Sequence, residues 1–175
     1  MRFVAFLRGI NVGGHKIIKM QDLSKIFESL GFKNVRTYIQ SGNILFDSSE
    51  KEASLANKIK SKLSDKLGYE IEVLLQTMPQ IQDIAKQNPL KGIKLSDDVK
   101  AYVIFLSKTT KNLKFPVFSK NKDVEIISIK NNVAFCLSRK VNGKFGFPNI
   151  FIEKEFKAPA TTRNLTTVEK IAAMN

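Results

Sequence analysis

A chain of 175 residues, 43% hydrophobic and 26% charged, has enough apolar material for a packed core, which excludes a disordered or fibrous protein. Its formal charge of +13 instead describes a soluble protein that attracts anions, whether nucleic acid, anionic membrane or phosphorylated ligands. No apolar run reaches membrane-spanning length and the apolar start is too short for a signal peptide, so a cytoplasmic protein without membrane attachment is expected.

Residues 3–7 are apolar on both faces and read as a central strand covered on both sides. A glycine-rich loop follows, and then Leu23, Ile26, Phe27 and Leu30 mark one face of a helix starting near Met20 and stopped by Gly31. Residues 35–40 alternate as a strand, with Val35, Thr37 and Ile39 on one face and Arg36, Tyr38 and Gln40 on the other. Ser41-Gly42-Asn43 is a turn signal, and residues 44–46 return as the second arm of a hairpin. Ser49 and Glu52 match a capping box ahead of a helix with Leu55, Ile59 and Leu63 on its buried stripe, ended by Gly68. Residues 71–77 are a further strand. Strand, helix, strand, strand, helix, strand over residues 1–78 is the element order of a ferredoxin-like α/β plait.

The second region, residues 79–175, opens with Pro79 at a helix N-terminus, stopped by Asn88-Pro89. Residues 99–106 are a nearly continuous apolar strand, and residues 124–129 and 133–137 form a hairpin about Asn131-Asn132. Asn142-Gly143 marks another turn, Pro148 begins a short helix to Phe156, and Thr166 with Glu169 is a second capping box before the terminal helix. The expected fold is α+β: two plait-like subdomains with mainly antiparallel sheets and helices packed on them, the second less regular and ending in a helix. No residue-level repeat links the halves.

The basic residues divide into 24 lysines and five arginines. Lysine is a solvated point charge spread along the whole chain, so much of the excess reads as a solubilising surface. Arginine is the bidentate fork suited to phosphate, and Arg8, Arg36 and Arg163 each fall in a distinctive stretch. The single Cys136 cannot form an internal disulfide and reads as an inert buried thiol in a reducing compartment. With one cysteine and one histidine far apart, no ordinary zinc site is expected, and no metal is assigned; Asp97-Asp98 and Glu70 with Glu72 read as solvated charges.

The first distinctive stretch runs Leu7-Arg8-Gly9-Ile10-Asn11-Val12-Gly13-Gly14-His15-Lys16. It fails as a nucleoside-triphosphate loop, because His15 stands where lysine belongs and Lys16 where the magnesium-binding hydroxyl belongs. A looser anion nest, aided by Arg8, Lys16 and Lys19, is the functional expectation; a tight structural connection is the plain alternative. The second is Arg36-Thr37-Tyr38-Ile39-Gln40-Ser41-Gly42-Asn43, whose Tyr38 reads as a packing residue, since the aromatic-rich strand of an RNA-recognition module is absent. The third is Thr161-Thr162-Arg163-Asn164, suited either to holding an anion at a helix N-terminus or to capping that helix.

These stretches, with Asn88-Pro89, resemble the bacterial family catalogued as domain of unknown function 1697, a resemblance running from Met1 to about Met174. It implies two ferredoxin-like subdomains and no activity, substrate or cofactor. Relatives usually carry tryptophan and then asparagine after T-T-R-N, where this chain has Leu165 and Thr166, so any ligand stacking on that tryptophan is lost here.

The expected function is binding of a phosphate-bearing partner, nucleic acid or nucleotide, where the three stretches meet. The residues assigned to that site are Arg8, Gly9, Asn11, Gly13, Gly14 and Lys16 in the loop, and Arg36, Tyr38, Gln40, Ser41 and Asn43 in the hairpin. Thr161, Thr162, Arg163 and Asn164 complete it. One alternative is an enzyme acting on a small phosphorylated or nucleotide substrate, with His15 or Tyr38 as acid/base. Another is a protein–protein adaptor, whose cue would be an exposed apolar patch.

Overall fold

The computed structural model describes residues 1–11 and 17–174. The chain divides into two units, Met1–Ile81 and Gln82–Asn175.

The first unit contains β1 (Arg2–Leu7), α1 (Met20–Glu28), β2 (Lys33–Tyr38), β3 (Asn43–Asp47), α2 (Glu52–Leu67) and β4 (Val73–Thr77). Its sheet has the order β2-β3-β1-β4 with every pair antiparallel, the ferredoxin-like plait. Alternation along β1 sends Phe3, Ala5 and Leu7 to the helical side, where they join Leu23 and Phe27 of α1 and Leu55, Ile59 and Leu63 of α2. Phe46 is the hub of this layer, with Phe32 stacked at 4.5 Å between ring centroids and Phe27 meeting it edge-on at 5.4 Å. Val4, Phe6 and Leu45, on the opposite face, are also fully buried. A strand buried on both faces needs a continuous apolar run, which is what residues 3–7 supply.

In the second unit, α3 (Met78–Lys86) straddles the division and leads to β5 (Val99–Leu106), β6 (Val117–Phe118), β7 (Val124–Lys130), β8 (Val133–Val141) and β9 (Lys144–Phe145). Then come α4 (Pro148–Phe156), β10 (Ala160–Asn164) and α5 (Leu165–Ala172). The sheet order is β10-β5-β8-β7-β6, with β9 paired to β8. Strands β5, β7, β8 and β10 thus repeat the order of the first sheet. What differs is the connection from β5 to β7: residues 107–123 carry the short strand β6 on the sheet edge, in place of the crossover helix that a plait packs on the sheet face. The β7–β8 turn uses Asn131 (φ 50°) and Asn132 (φ 60°), left-handed positions that asparagine tolerates. Helix α4 covers one face through Ile152 and Phe156, which pack on Ile104, Leu106, Ala134, Cys136 and Ala160.

Both expected capping boxes are absent. Helix α2 begins at Glu52 behind Lys51, without a side-chain cap, so Ser49 lies too early to cap it. The Ser48 backbone N–H donates to Met1 O, which holds the chain at the sheet end, and Ser48 Oγ accepts from the Glu50 N–H at 3.1 Å. Helix α5 begins at Leu165 directly from β10, so Thr166 lies inside its first turn. Pairing with β5 keeps the backbone extended as far as Asn164 and leaves no room for a cap at Thr166.

Cys136 is buried, and desolvation, with a contribution from the Glu125 charge, pushes its thiol well above the ordinary value of 9.0. A pKa raised in the folded state gives stability that is complete below the unfolded thiol's pKa and is lost as pH climbs beyond it. Denaturant titrations between pH 8 and 11 should show Cys136→Val losing stability less steeply than the parent, by up to about 1.4 kcal/mol per pH unit above the unfolded value. Identical slopes would refute this. Among the described residues, no helix is long and apolar enough to cross a membrane.

Candidate ligand-binding site

Strand β1 is held on both sides as it ends. The Leu7 N–H donates to Gly42 O and the Arg8 N–H to Glu72 O, each at 2.9 Å. The chain then turns through Gly9 (φ 71°) and Asn11 (φ 55°). The Asn11 side chain makes three bonds: Nδ2 donates to Ile18 O at 3.1 Å and to Gln40 O at 3.0 Å, while Oδ1 accepts from the Ile18 N–H at 2.8 Å. One amide therefore closes the mouth of the glycine loop and clips it to the hairpin turn. Gly13, Gly14, His15 and Lys16 lie outside the described residues, so the loop's expected backbone nest and its histidine are not placed.

The hairpin turn differs from its expected form. Tyr38 pairs with Asn43, so the turn is residues 39–42 and Asn43 opens β3. Ile39 has a left-handed φ of 50°, which breaks the strand alternation. Gln40 consequently does not share a strand face with Arg36 and Tyr38; it sits exposed in the turn and offers its carbonyl to Asn11. Asn43 is fully buried, with Nδ2 donating to Tyr38 O and to Ser41 Oγ, both at 2.9 Å. It locks the turn from inside. Arg8, Arg36 and Lys19 are exposed, while Tyr38, Ser41 and Asn11 are half-buried.

Thr161-Thr162-Arg163-Asn164 belongs to the second unit and is strand rather than helix cap, paired antiparallel with β5. Arg163, only 7% exposed, donates to Thr161 Oγ1 at 2.7 Å and to Thr162 O at 2.8 Å. Burial pulls its guanidinium down to about 10, so it remains a cation at neutral pH, but one withdrawn from solvent. Thr161 is buried on the same strand face. Thr162 and Asn164 alternate to the other face, where Thr162 Oγ1 donates to Asn149 Oδ1 at 3.0 Å.

That last contact opens on a feature the sequence reading missed. A cleft of about 570 Å³ lies in the second unit, with Lys100, Tyr102 and Thr162 on the sheet side and residues 144–149 opposite. The available signal was local: Lys144-Phe145-Gly146-Phe147-Pro148 sets two aromatics and a cation around a glycine.

The fold and site thus define a two-unit, plait-based protein with a glycine loop clipped to a hairpin. The chain belongs to the family described as "Protein of unknown function (DUF1697)", whose model matches residues 1–135; Thr161 to Asn164 lie beyond the matched stretch. Among solved structures, the chain is similar to "conserved bacterial protein SP0830 from Streptococcus pneumoniae", at 21% identity and a TM-score of 0.72, over 98% of this chain and 97% of that one. That likeness concerns the fold alone. No curated protein matches at a significant level.

Proposed function

We propose that this protein binds a phosphate-bearing ligand, a nucleotide or nucleic acid, at the glycine loop and hairpin turn of the first unit, in a reducing cytoplasmic compartment. The observation that carries the reading is the Asn11 clip, which joins the two stretches into one wall. Arg8 and Arg36, both exposed, lie on the two segments that this wall joins. Guanidinium groups suit phosphate oxygens; Arg8 directly precedes the glycine loop, Arg36 lies on the hairpin strand level with Leu45 and Val4, and the +13 charge raises the local concentration of any anion. Asn43 and Gly42 are positioning residues here, holding the turn rather than meeting the ligand.

Fluorescence anisotropy with a labelled single-stranded oligonucleotide and a labelled nucleotide at low salt tests this directly. Binding of the polymer should weaken steeply with salt, and Arg8→Ala and Arg36→Ala should each lower affinity and reduce the log–log salt slope by about one. A nucleotide should show only a shallow salt dependence. No affinity for DNA, RNA or nucleotide at low salt refutes the reading.

A further inference from the structure

We propose that the cleft at the open end of the α4-covered face in the second unit binds a small aromatic anion: one planar ring system linked to a phosphate, of mononucleotide size. Its volume of about 570 Å³ falls within the range of about 300–1,000 Å³ of small-ligand sites. The strand pairing explains why a cleft exists there. Lys100 and Tyr102 of β5 and Thr162 of β10 are on the same sheet face as Ile104 and Ala160, which α4 covers. Helix α4 begins only at Pro148, so the face beyond its first residue is left uncovered and the segment from β9 into α4 forms the facing wall.

The chemistry of the lining points to the occupant. None of the residues lining the cleft is acidic, and two are lysines. Among the described residues neither Lys100 nor Lys144 has a carboxylate partner; the Lys100 ammonium instead rests 4.1 Å from the centroid of the Phe145 ring. Both cations are therefore available to a phosphate. Phe147 stands 72% exposed at the cleft, a large apolar ring left in water that a stacked planar ligand would cover. Asn149 accepts from Thr162 through Oδ1, which directs its two amide hydrogens elsewhere, as needed to hold ring or phosphate oxygens. Cations and aromatics together select against a purely apolar ligand and against a bare anion.

The wall is also built in advance. Ser138 is fully buried and its Oγ donates to Gly146 O at 2.9 Å. A Cβ at Gly146 would come within 2.6 Å of Val124 Cγ2 and 2.7 Å of Asp123 Cγ, so only glycine lets this backbone lie against β7. The segment bearing Phe145 and Phe147 is thereby fixed without ligand, which lowers the ordering cost of binding.

The inference goes beyond the loop site, and the two fail separately. Isothermal titration of the intact protein with AMP, adenosine and inorganic phosphate at low salt is the test, with amide chemical shifts locating the site. AMP should bind at least about tenfold more tightly than either fragment, and shifts should concentrate on residues 144–149. Lys144→Glu, at an exposed position, should weaken AMP about tenfold and leave adenosine unchanged; Phe147→Ser should weaken both. Unchanged melting temperatures identify these losses as effects on the cleft. The proposal is overturned if AMP binds no more tightly than phosphate, or if both variants bind AMP as the parent does. It is also overturned if only a single-stranded oligonucleotide binds, or if AMP affinity is lost in Arg8→Ala and Arg36→Ala alone; that last result would leave the loop reading standing.

Discussion

Gly42→Ala is expected to destabilise the protein by about 3 kcal/mol and to weaken the proposed ligand binding at the loop. Two effects add. An L residue held in the left-handed region that Gly42 occupies, at φ 73°, loses about 1–2 kcal/mol. The added methyl would also fall on Ile10 Cγ2 and come within 3.0 Å of Leu7 Cβ, and overpacking of this kind costs about 1–3 kcal/mol. Leu7 ends β1 and Ile10 belongs to the loop, so relief of the overlap pushes the loop away from the turn and strains the Leu7 N–H to Gly42 O bond. Gly9→Ala is the internal control. Gly9 has nearly the same φ, 71°, but nothing lies within 4 Å of its would-be Cβ, so only the same backbone cost of about 1–2 kcal/mol remains. Urea denaturation of both variants checks the difference. Equal losses would mean that the close approach of turn to loop does not exist.

Arg163→Ala should have a comparable effect, a loss of about 3 kcal/mol, for a different reason. The truncation removes the donor to Thr161 Oγ1 and Thr162 O and leaves a cavity beside a buried threonine. In a chain of this length the melting temperature should fall by about 6–12 °C. Arg163→Met keeps most of the volume and brings no buried charge, so it should recover part of the loss. The pH dependence has a definite sign. Because the folded pKa is lowered to about 10, the cost of burying the charge is full at neutral pH and lifts as pH rises beyond 10 towards the higher value of the unfolded chain's arginine. Relative to Arg163→Met, the parent should therefore gain stability over that interval. A parallel pair of curves would show that the guanidinium is hydrated rather than buried.

The fate of Arg163 also shows where sequence reading stops. Thr161-Thr162-Arg163-Asn164 has the composition of an anion-binding helix cap, and no local feature distinguishes that from an edge strand. The deciding fact is its antiparallel pairing with β5, whose partner residues lie about 60 positions earlier in the chain. Alternation in the paired strand then withdraws Arg163 and Thr161 from water while sending Thr162 towards the cleft. Gln40 moved for a more local reason. A single left-handed residue, Ile39, ended the strand earlier than its alternating pattern implied.

What the sequence determined by itself is what local periodicity and backbone sterics control. The apolar run of β1, the buried stripe of Leu55, Ile59 and Leu63, the left-handed stop at Gly68, the asparagine turn at 131–132 and the start of α4 at Pro148 could all be read from neighbours in the chain. The element order of the first unit then left the plait as the simplest topology. Tertiary structure alone decided the rest: that β10 extends to Asn164 and removes a helix cap, that one asparagine joins the glycine loop to the turn, and that α4 stops short of covering its sheet. Each of these depends on pairing or packing between residues far apart in sequence, and such contacts leave no periodic trace in the chain that makes them.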